Sequence, residues 1–271
     1  MAATDIKAEE QQAIEAYSKS VREAFARDFD TADRRFDDGE KLLRRFHNAI
    51  ATLLEKGRRY ISSVDEAHNE LCVASQLLLN ENPRFALEYE PALPGCAKTI
   101  DFRAVSDKGD TFYVDVKTIK PKPLDRWREY MLACERGWFP QNVRVTLSEE
   151  YLGGELWHMM VAARSRMLEY ALELEAKIRD CELSGDNTFF ILALCGNGFR
   201  WEEDELEDFV WFYRRGSHRD DDPFSTMEAY HVDKKSITID RTINQFACLI
   251  RPQFEVRHQQ LNWNVQPPRA V

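Results

Sequence analysis

Two aspartates and a lysine near the middle of the chain have the types and spacing of a hydrolytic metal centre. Asp101 belongs to one predicted strand, and Asp115 and Lys117 belong to the next. Side chains alternate between the two faces of a strand, so Asp115 and Lys117 share one face. A turn centred near Lys108 would place Asp101 opposite Asp115, with Cβ atoms roughly 5 Å apart. A shift of one residue in the register would make that pairing diagonal.

Two carboxylates at that separation repel each other unless a positive charge lies between them. A divalent ion supplies that charge, and Mg²⁺ prefers carboxylate and carbonyl oxygens while it keeps several waters. Such an ion polarises a phosphate, lowers the pKa of a bound water and stabilises transition-state charge. Lys117 could position or deprotonate the attacking water, and the backbone carbonyl of Val116 is a further candidate ligand. These residue types suit hydrolysis of a phosphodiester.

Asp101 and Asp115 have a plainer interpretation, as polar residues on the solvent-exposed face of a sheet. Such a face usually carries more polar neighbours than Tyr113 and Ile119 provide. The catalytic interpretation is therefore favoured, and the surface interpretation stays open.

A helix is predicted upstream of these strands, and it supplies a further acidic candidate. Ser63 and Glu66 match the capping-box pattern Ser-x-x-Glu, which predicts that the helix begins at Ser63. At 100° per residue, Glu70 falls on the edge of the apolar face of this helix. Glu66 lies further out, and Glu88 and Glu90 on the first predicted strand are the remaining acidic candidates.

The middle of the chain resembles the PD-(D/E)xK nuclease superfamily, which includes restriction endonucleases. The resemblance is carried by Ile-Asp at 100–101, thirteen intervening residues and Asp-Val-Lys at 115–117. Tyr89-Glu90-Pro91 and the predicted order helix–strand–strand–strand are also similar. The match covers roughly residues 63–120, and Ile100 stands where the family usually has proline.

The resemblance implies an α/β fold, a restriction-endonuclease-like mixed sheet flanked by helices. It also implies a Mg²⁺ ion, with Mn²⁺ as a substitute, bound at Glu70, Asp101 and Asp115. The implied activity is metal-dependent phosphodiester hydrolysis, with DNA favoured over RNA as the substrate. The alternative is a catalytically inactive binding or regulatory protein that keeps the same fold.

The charge of the chain bears on a nucleic-acid partner. The net charge is −10, which by itself opposes such a partner. Residues 182–222 hold eleven acidic and four basic residues, a balance of −7, whereas residues 84–128 hold nine basic and seven acidic residues, a balance of +2. Most of the acidity therefore lies outside the candidate site. A basic segment follows that site and is either a phosphate-contacting segment or a solvated stretch, with Lys120, Lys122, Arg126 and Arg128.

Periodicity predicts an N-terminal helical extension at 1–60 and a nuclease domain at 61–271. Asp37-Asp38-Gly39 is expected to separate two helices in the extension, whose expected role is packing or a homodimer interface. The remaining expected helices are 124–135, 154–181 and 202–214, and the expected strands are 84–90, 98–105, 111–119, 143–147, 189–194 and 243–250.

The six cysteines are scattered without a Cys-x-x-Cys pair, which predicts free thiols in a reducing cytoplasm. No run of about 18 apolar residues occurs, so neither a membrane span nor a membrane partner is expected. The first residues lack the basic and apolar regions of a signal peptide.

Overall fold

The architecture is α/β, a six-stranded mixed sheet with helices. The computed structural model describes residues 8–31, 36–57, 60–119, 156–181, 183, 185, 187–196, 209–210, 213–214, 239–250, 256 and 261–264. The helices are α1 (Ala8–Thr31), α2 (Gly39–Lys56), α3 (Ile61–Leu79) and α4 (Leu156–Arg179). The strands are β1 (Phe85–Tyr89), β2 (Phe102–Ser106), β3 (Thr111–Thr118), β4 (Thr188–Gly196), β5 (Gln245–Ile250) and β6 (Leu261–Asn264).

The strands follow one another across the sheet in chain order. β1, β2 and β3 pair antiparallel, β3, β4 and β5 pair parallel, and β6 returns antiparallel to β5. β4 lies at the centre, and its continuous apolar sequence is explained by burial on both faces, as predicted. β6 was not predicted from the sequence.

The turn between β2 and β3 sets the register of the candidate site. Ser106 closes the turn because its N–H donates to the carbonyl of Asp110 at 2.8 Å. Gly109 has a φ of 92°, a left-handed conformation that glycine adopts without strain. Phe102 pairs with Val114, so the turn is centred on residue 108 and the predicted register is confirmed.

Helices α1, α2 and α3 share a hydrophobic core with one face of the sheet. The apolar stripe of α2 packs into this core, with Leu42, Leu43, Phe46, Ile50 and Leu53 buried. Val114 and Val116 of β3 belong to the same core. Because side chains alternate along a strand, Asp115 lies on the opposite face of β3, away from these helices. The break predicted at 37–39 is confirmed, while the domain boundary at residue 60 stays a prediction.

The predicted capping box at the start of α3 is wrong. The helix begins at Ile61, two residues before Ser63, and the capping position is occupied by Tyr60 without a side-chain hydrogen bond. Asp38 likewise caps α2 without a side-chain hydrogen bond, because its Oδ2 accepts the N–H of Tyr89 at 2.9 Å. Tertiary contacts have taken priority over local capping at the start of α2.

The prediction of six free thiols is also wrong. Cys96 and Cys181 form a disulfide across 85 residues of sequence. Since Cys96 lies between two predicted strands and Cys181 at the end of a predicted helix, only the tertiary structure brings them together. Cys72, Cys195 and Cys248 are buried.

The chain divides into two units, 1–118 with 174–199 and 242–271, and 119–173 with 200–241. In the second unit, the rings of Phe209 and Tyr213 lie 6.0 Å apart.

Some predicted elements lie outside the described residues: the helix 124–135, the strand 143–147 and most of the helix 202–214. Within the described part of the chain, no helix is both long and apolar enough to cross a bilayer.

Candidate active site

The β2–β3 hairpin brings Asp101 and Asp115 together, as the sequence predicts. Asp101 directly precedes β2, and continuing the register from Phe102 and Val114 places it opposite Asp115. Its Oδ2 accepts the backbone N–H of Val116 at 2.6 Å, which fixes the carboxylate at the end of the hairpin. The two carboxylates therefore lie side by side on one face of the sheet.

Asp115 is fully buried and lies between two lysines. The Nζ of Lys117 lies 3.1 Å from its Oδ2, and the Nζ of Lys177 on α4 donates to its Oδ1 at 2.8 Å. The contact from Lys117 is an ion pair without hydrogen-bond geometry, so Oδ2 has no hydrogen-bond partner among the described residues. A buried carboxylate oxygen of this kind has capacity for another positive ligand.

Glu70 approaches from the helical side of the sheet, where α3 packs against β1 and β3. Its Oε1 lies 2.8 Å from the guanidinium of Arg45 on α2. Its Oε2 accepts a hydrogen bond from the hydroxyl of Tyr89 at 3.0 Å, and that hydroxyl accepts one from Arg45 at 2.8 Å. The Glu70 carboxylate is thus buried and occupied on both oxygens.

The acidic candidates on β1 and directly after it, Glu88 and Glu90, have different surroundings. Glu90 joins the cationic side chains of α2, at 3.0 Å from Lys41 and 3.5 Å from Arg45. Glu88 pairs with Arg103 across the strands at 3.0 Å, and both side chains are largely exposed. Glu90 therefore borders the Glu70 cluster, whereas Glu88 forms a surface ion pair.

Crowding of carboxylates in a buried place raises two pKa values. Burial, followed by the charge of Asp101, raises the pKa of Glu70 to about 8 even though Arg45 opposes this. Burial, followed by the charge of Asp115, raises the pKa of Asp101 to about 6. The charge of Asp101 therefore acts on Glu70, and an added cation near Asp101 would relieve the repulsion between these carboxylates.

The donor chemistry fits a hard divalent cation at Asp101 and Asp115. Both are carboxylates, the charge of Asp115 helps to raise the pKa of Asp101, and Asp115 has a buried oxygen without a hydrogen-bond partner among the described residues. The oxygens of Glu70, by contrast, are occupied by Arg45 and Tyr89. Accordingly, no group of three or more His, Cys, Asp or Glu side chains in the described residues has metal-binding geometry. Adding Glu70 to the set requires its release from Arg45.

Two cations of the site, Arg45 and Lys177, were missed by sequence reasoning. Arg45 looks like any basic residue on the polar face of a helix, with Arg44 beside it. Lys177 lies 60 positions after Lys117 in a long helix with other charged residues, and nothing in its spacing marks it. The predicted phosphate-contacting residues Lys120, Lys122 and Arg126 lie outside the described residues.

The raised pKa values predict that the metal-free protein loses stability as pH rises from about 4.5 to about 8. In that window the folded state keeps a proton on Glu70 that the unfolded state has released, since the usual pKa is 4.5. The neutral carboxyl therefore stabilises the fold at low pH, and this contribution, at most about 5 kcal/mol, disappears as pH passes 8. Asp101 adds a smaller loss between 3.8 and about 6.

Denaturant unfolding in EDTA at several pH values measures this slope. Glu70→Gln is expected to flatten it, while the control Glu66→Gln, one helical turn earlier on α3, is expected to keep it. A slope of the same size in Glu70→Gln and in the wild type would contradict the assignment.

Comparisons of the chain with protein-family models, with curated proteins and with solved structures found no match.

Proposed function

We propose that the chain is a metal-dependent nuclease that hydrolyses phosphodiester bonds, with DNA ahead of RNA as its substrate. The proposal includes a restriction-endonuclease-like arrangement of the mixed sheet and a Mg²⁺ ion, for which Mn²⁺ can substitute. The observation that carries it is the opposition of Asp101 and Asp115 across the hairpin, with Lys117 on the face of Asp115. That combination suits metal-assisted hydrolysis and has no evident use in packing.

Each residue of the site has a separate role in the proposed reaction. Asp101 and Asp115 would hold the ion, which when bound supplies Lewis-acid polarisation and a water of lowered pKa. Lys117 presents an ammonium group beside Asp115 and is partly exposed, so it can reach a substrate phosphate or orient the attacking water. The N–H of Val116 fixes Asp101 and so keeps the two carboxylates in position. Glu70 would join as a ligand after it leaves Arg45, and the Val116 carbonyl stays a candidate ligand.

A second candidate function is a binding or regulatory protein that keeps the fold without hydrolysis. It is favoured by the ion pairs that the carboxylates already form within the protein. Arg45 pairs with Glu70, and both Lys117 and Lys177 pair with Asp115. In such a protein these cations would permanently neutralise the carboxylates. Divalent-ion binding separates the two functions, since only the nuclease needs it.

The decisive experiment is a cleavage assay on linear, supercoiled and single-stranded DNA and on RNA, with Mg²⁺ or Mn²⁺. We expect the wild type to cut at least one of the DNA substrates and Lys117→Ala to lose most of that activity, by about 10²-fold or more. Absence of cleavage on every substrate, together with absence of Mn²⁺ binding, would refute the nuclease and favour the non-hydrolytic protein. Sedimentation of the same samples tests the predicted homodimer.

A further inference from the structure

We propose that Lys177 is a second lysine of the candidate centre, which binds Asp115 in the metal-free protein and contacts the substrate phosphate once a metal ion is bound. This inference rests on the proposed function and names a residue that the nuclease signature does not contain. It begins from the hydrogen bond between the Nζ of Lys177 and the Oδ1 of Asp115, at 2.8 Å.

The charges around Asp115 explain why Lys177 must move when a metal ion arrives. One carboxylate there contacts two ammonium groups, those of Lys117 and Lys177. A divalent ion at Asp101 and Asp115 would add two positive charges within a few ångströms of both. Like charges that close in a partly buried site repel strongly, so at least one ammonium group has to leave the carboxylate.

We assign the departure to Lys177 because it reaches Asp115 from α4, whereas Lys117 lies on the same strand face as Asp115. Its bond to Oδ1 has hydrogen-bond geometry, whereas Lys117 contacts Oδ2 as an ion pair only. Lys177 occupies Oδ1 of Asp115, and its side chain is 26% exposed, which gives the ammonium group a path to solvent. A lysine ammonium group attracts a phosphate as a compact positive charge, and its flexible four-carbon stem lets it reach one.

The backbone of Lys177 is held in place while its side chain moves. The chain just after α4 is tied to the loop between β1 and β2 by the disulfide from Cys96 to Cys181. Lys98 in the same loop bonds to the carbonyl of Ala176 and to the carboxylate of Asp180. These contacts flank Lys177 on both sides, and the same loop leads directly into Asp101. The helix that carries Lys177 is therefore fixed to the segment that carries a predicted metal ligand.

The test measures Mn²⁺ affinity by calorimetry and cleavage kinetics in the wild type, Lys177→Gln, Lys177→Arg and the control Lys19→Gln. Removal of the competing ammonium group in Lys177→Gln is expected to tighten Mn²⁺ binding about 3- to 10-fold and to lower kcat about 10- to 100-fold. Lys177→Arg keeps the charge and should retain Mn²⁺ affinity within about twofold of the wild type. Lys19 is a well-exposed residue of α1, and its variant should match the wild type in both measurements.

The outcomes separate this inference from the proposed function. A wild type that binds Mn²⁺ and cuts DNA, beside a Lys177→Gln protein with unchanged or weaker Mn²⁺ affinity, would overturn the role of Lys177 alone. If Lys177 had a purely structural role, Lys177→Gln would lower the thermal midpoint and weaken Mn²⁺ binding. That change is opposite to the tighter Mn²⁺ binding expected here. A wild type that neither binds Mn²⁺ nor cuts any substrate would overturn both proposals.

Discussion

Asp115→Asn is expected to abolish cleavage, with a loss of at least about 10³-fold, and to remove detectable Mn²⁺ binding. Asp115 is the fully buried member of the carboxylate pair, and asparagine keeps its shape while it removes the charge that would bind the ion. A loss of about 10³-fold corresponds to roughly 4 kcal/mol of transition-state stabilisation, which is within the range of a metal-ion contribution. The measurements are turnover on the preferred DNA substrate and calorimetric titration with Mn²⁺.

Asp107→Asn is the matched control for that substitution. It makes the same chemical change in the turn of the same hairpin, at an exposed position away from the carboxylate pair. Its activity and Mn²⁺ affinity should equal those of the wild type. Asp101→Asn should behave like Asp115→Asn, because both carboxylates are assigned to the same ion. Full turnover by a folded Asp115→Asn protein would exclude the proposed centre.

Phe46→Ala is expected to lower the free energy of unfolding by about 3–5 kcal/mol. Phe46 on α2 has no exposed surface, and its ring packs 6.1 Å from that of Tyr17 on α1 and 5.6 Å from that of His68 on α3. The substitution therefore leaves a cavity where the three N-terminal helices meet. Because this core continues into the sheet, urea unfolding should show the loss in the whole first unit rather than in a separate helical transition.

Leu79→Ala is the control for this prediction, since Leu79 is a large apolar side chain that is 47% exposed. It is expected to change the free energy of unfolding by about 0.5 kcal/mol or less. If Phe46→Ala instead melts α1 and α2 alone and leaves the sheet with its wild-type midpoint, the helices form an independent extension. That result would support the domain boundary predicted at residue 60.

The sequence predicts the hairpin of the candidate site well because the relevant information is local. Alternation of apolar and polar residues places Asp115 and Lys117 on one face, and the turn around Lys108 determines the register. The apolar run of β4 and the break at 37–39 are equally local signals. These elements were predicted within a few residues of their observed bounds.

Local signals failed at the start of α3 and at two of the cysteines. Helix α3 begins two residues before Ser63, so the Ser63–Glu66 pattern does not cap it. The disulfide between Cys96 and Cys181 joins segments 85 residues apart, and no spacing rule connects them. Such pairings depend on how the elements pack, which a one-dimensional pattern does not contain.

The sequence by itself determined the α/β class, the β2–β3 hairpin and the opposition of Asp101 and Asp115, because strand alternation and turn length are properties of neighbouring residues. Only the tertiary structure decided which cations meet these carboxylates. Arg45 reaches Glu70 from α2, and Lys177 reaches Asp115 from α4, over separations of 25 and 62 residues. The electrostatics of a buried site depend on every charge within a few ångströms, and those charges become neighbours only when distant segments of the chain fold together.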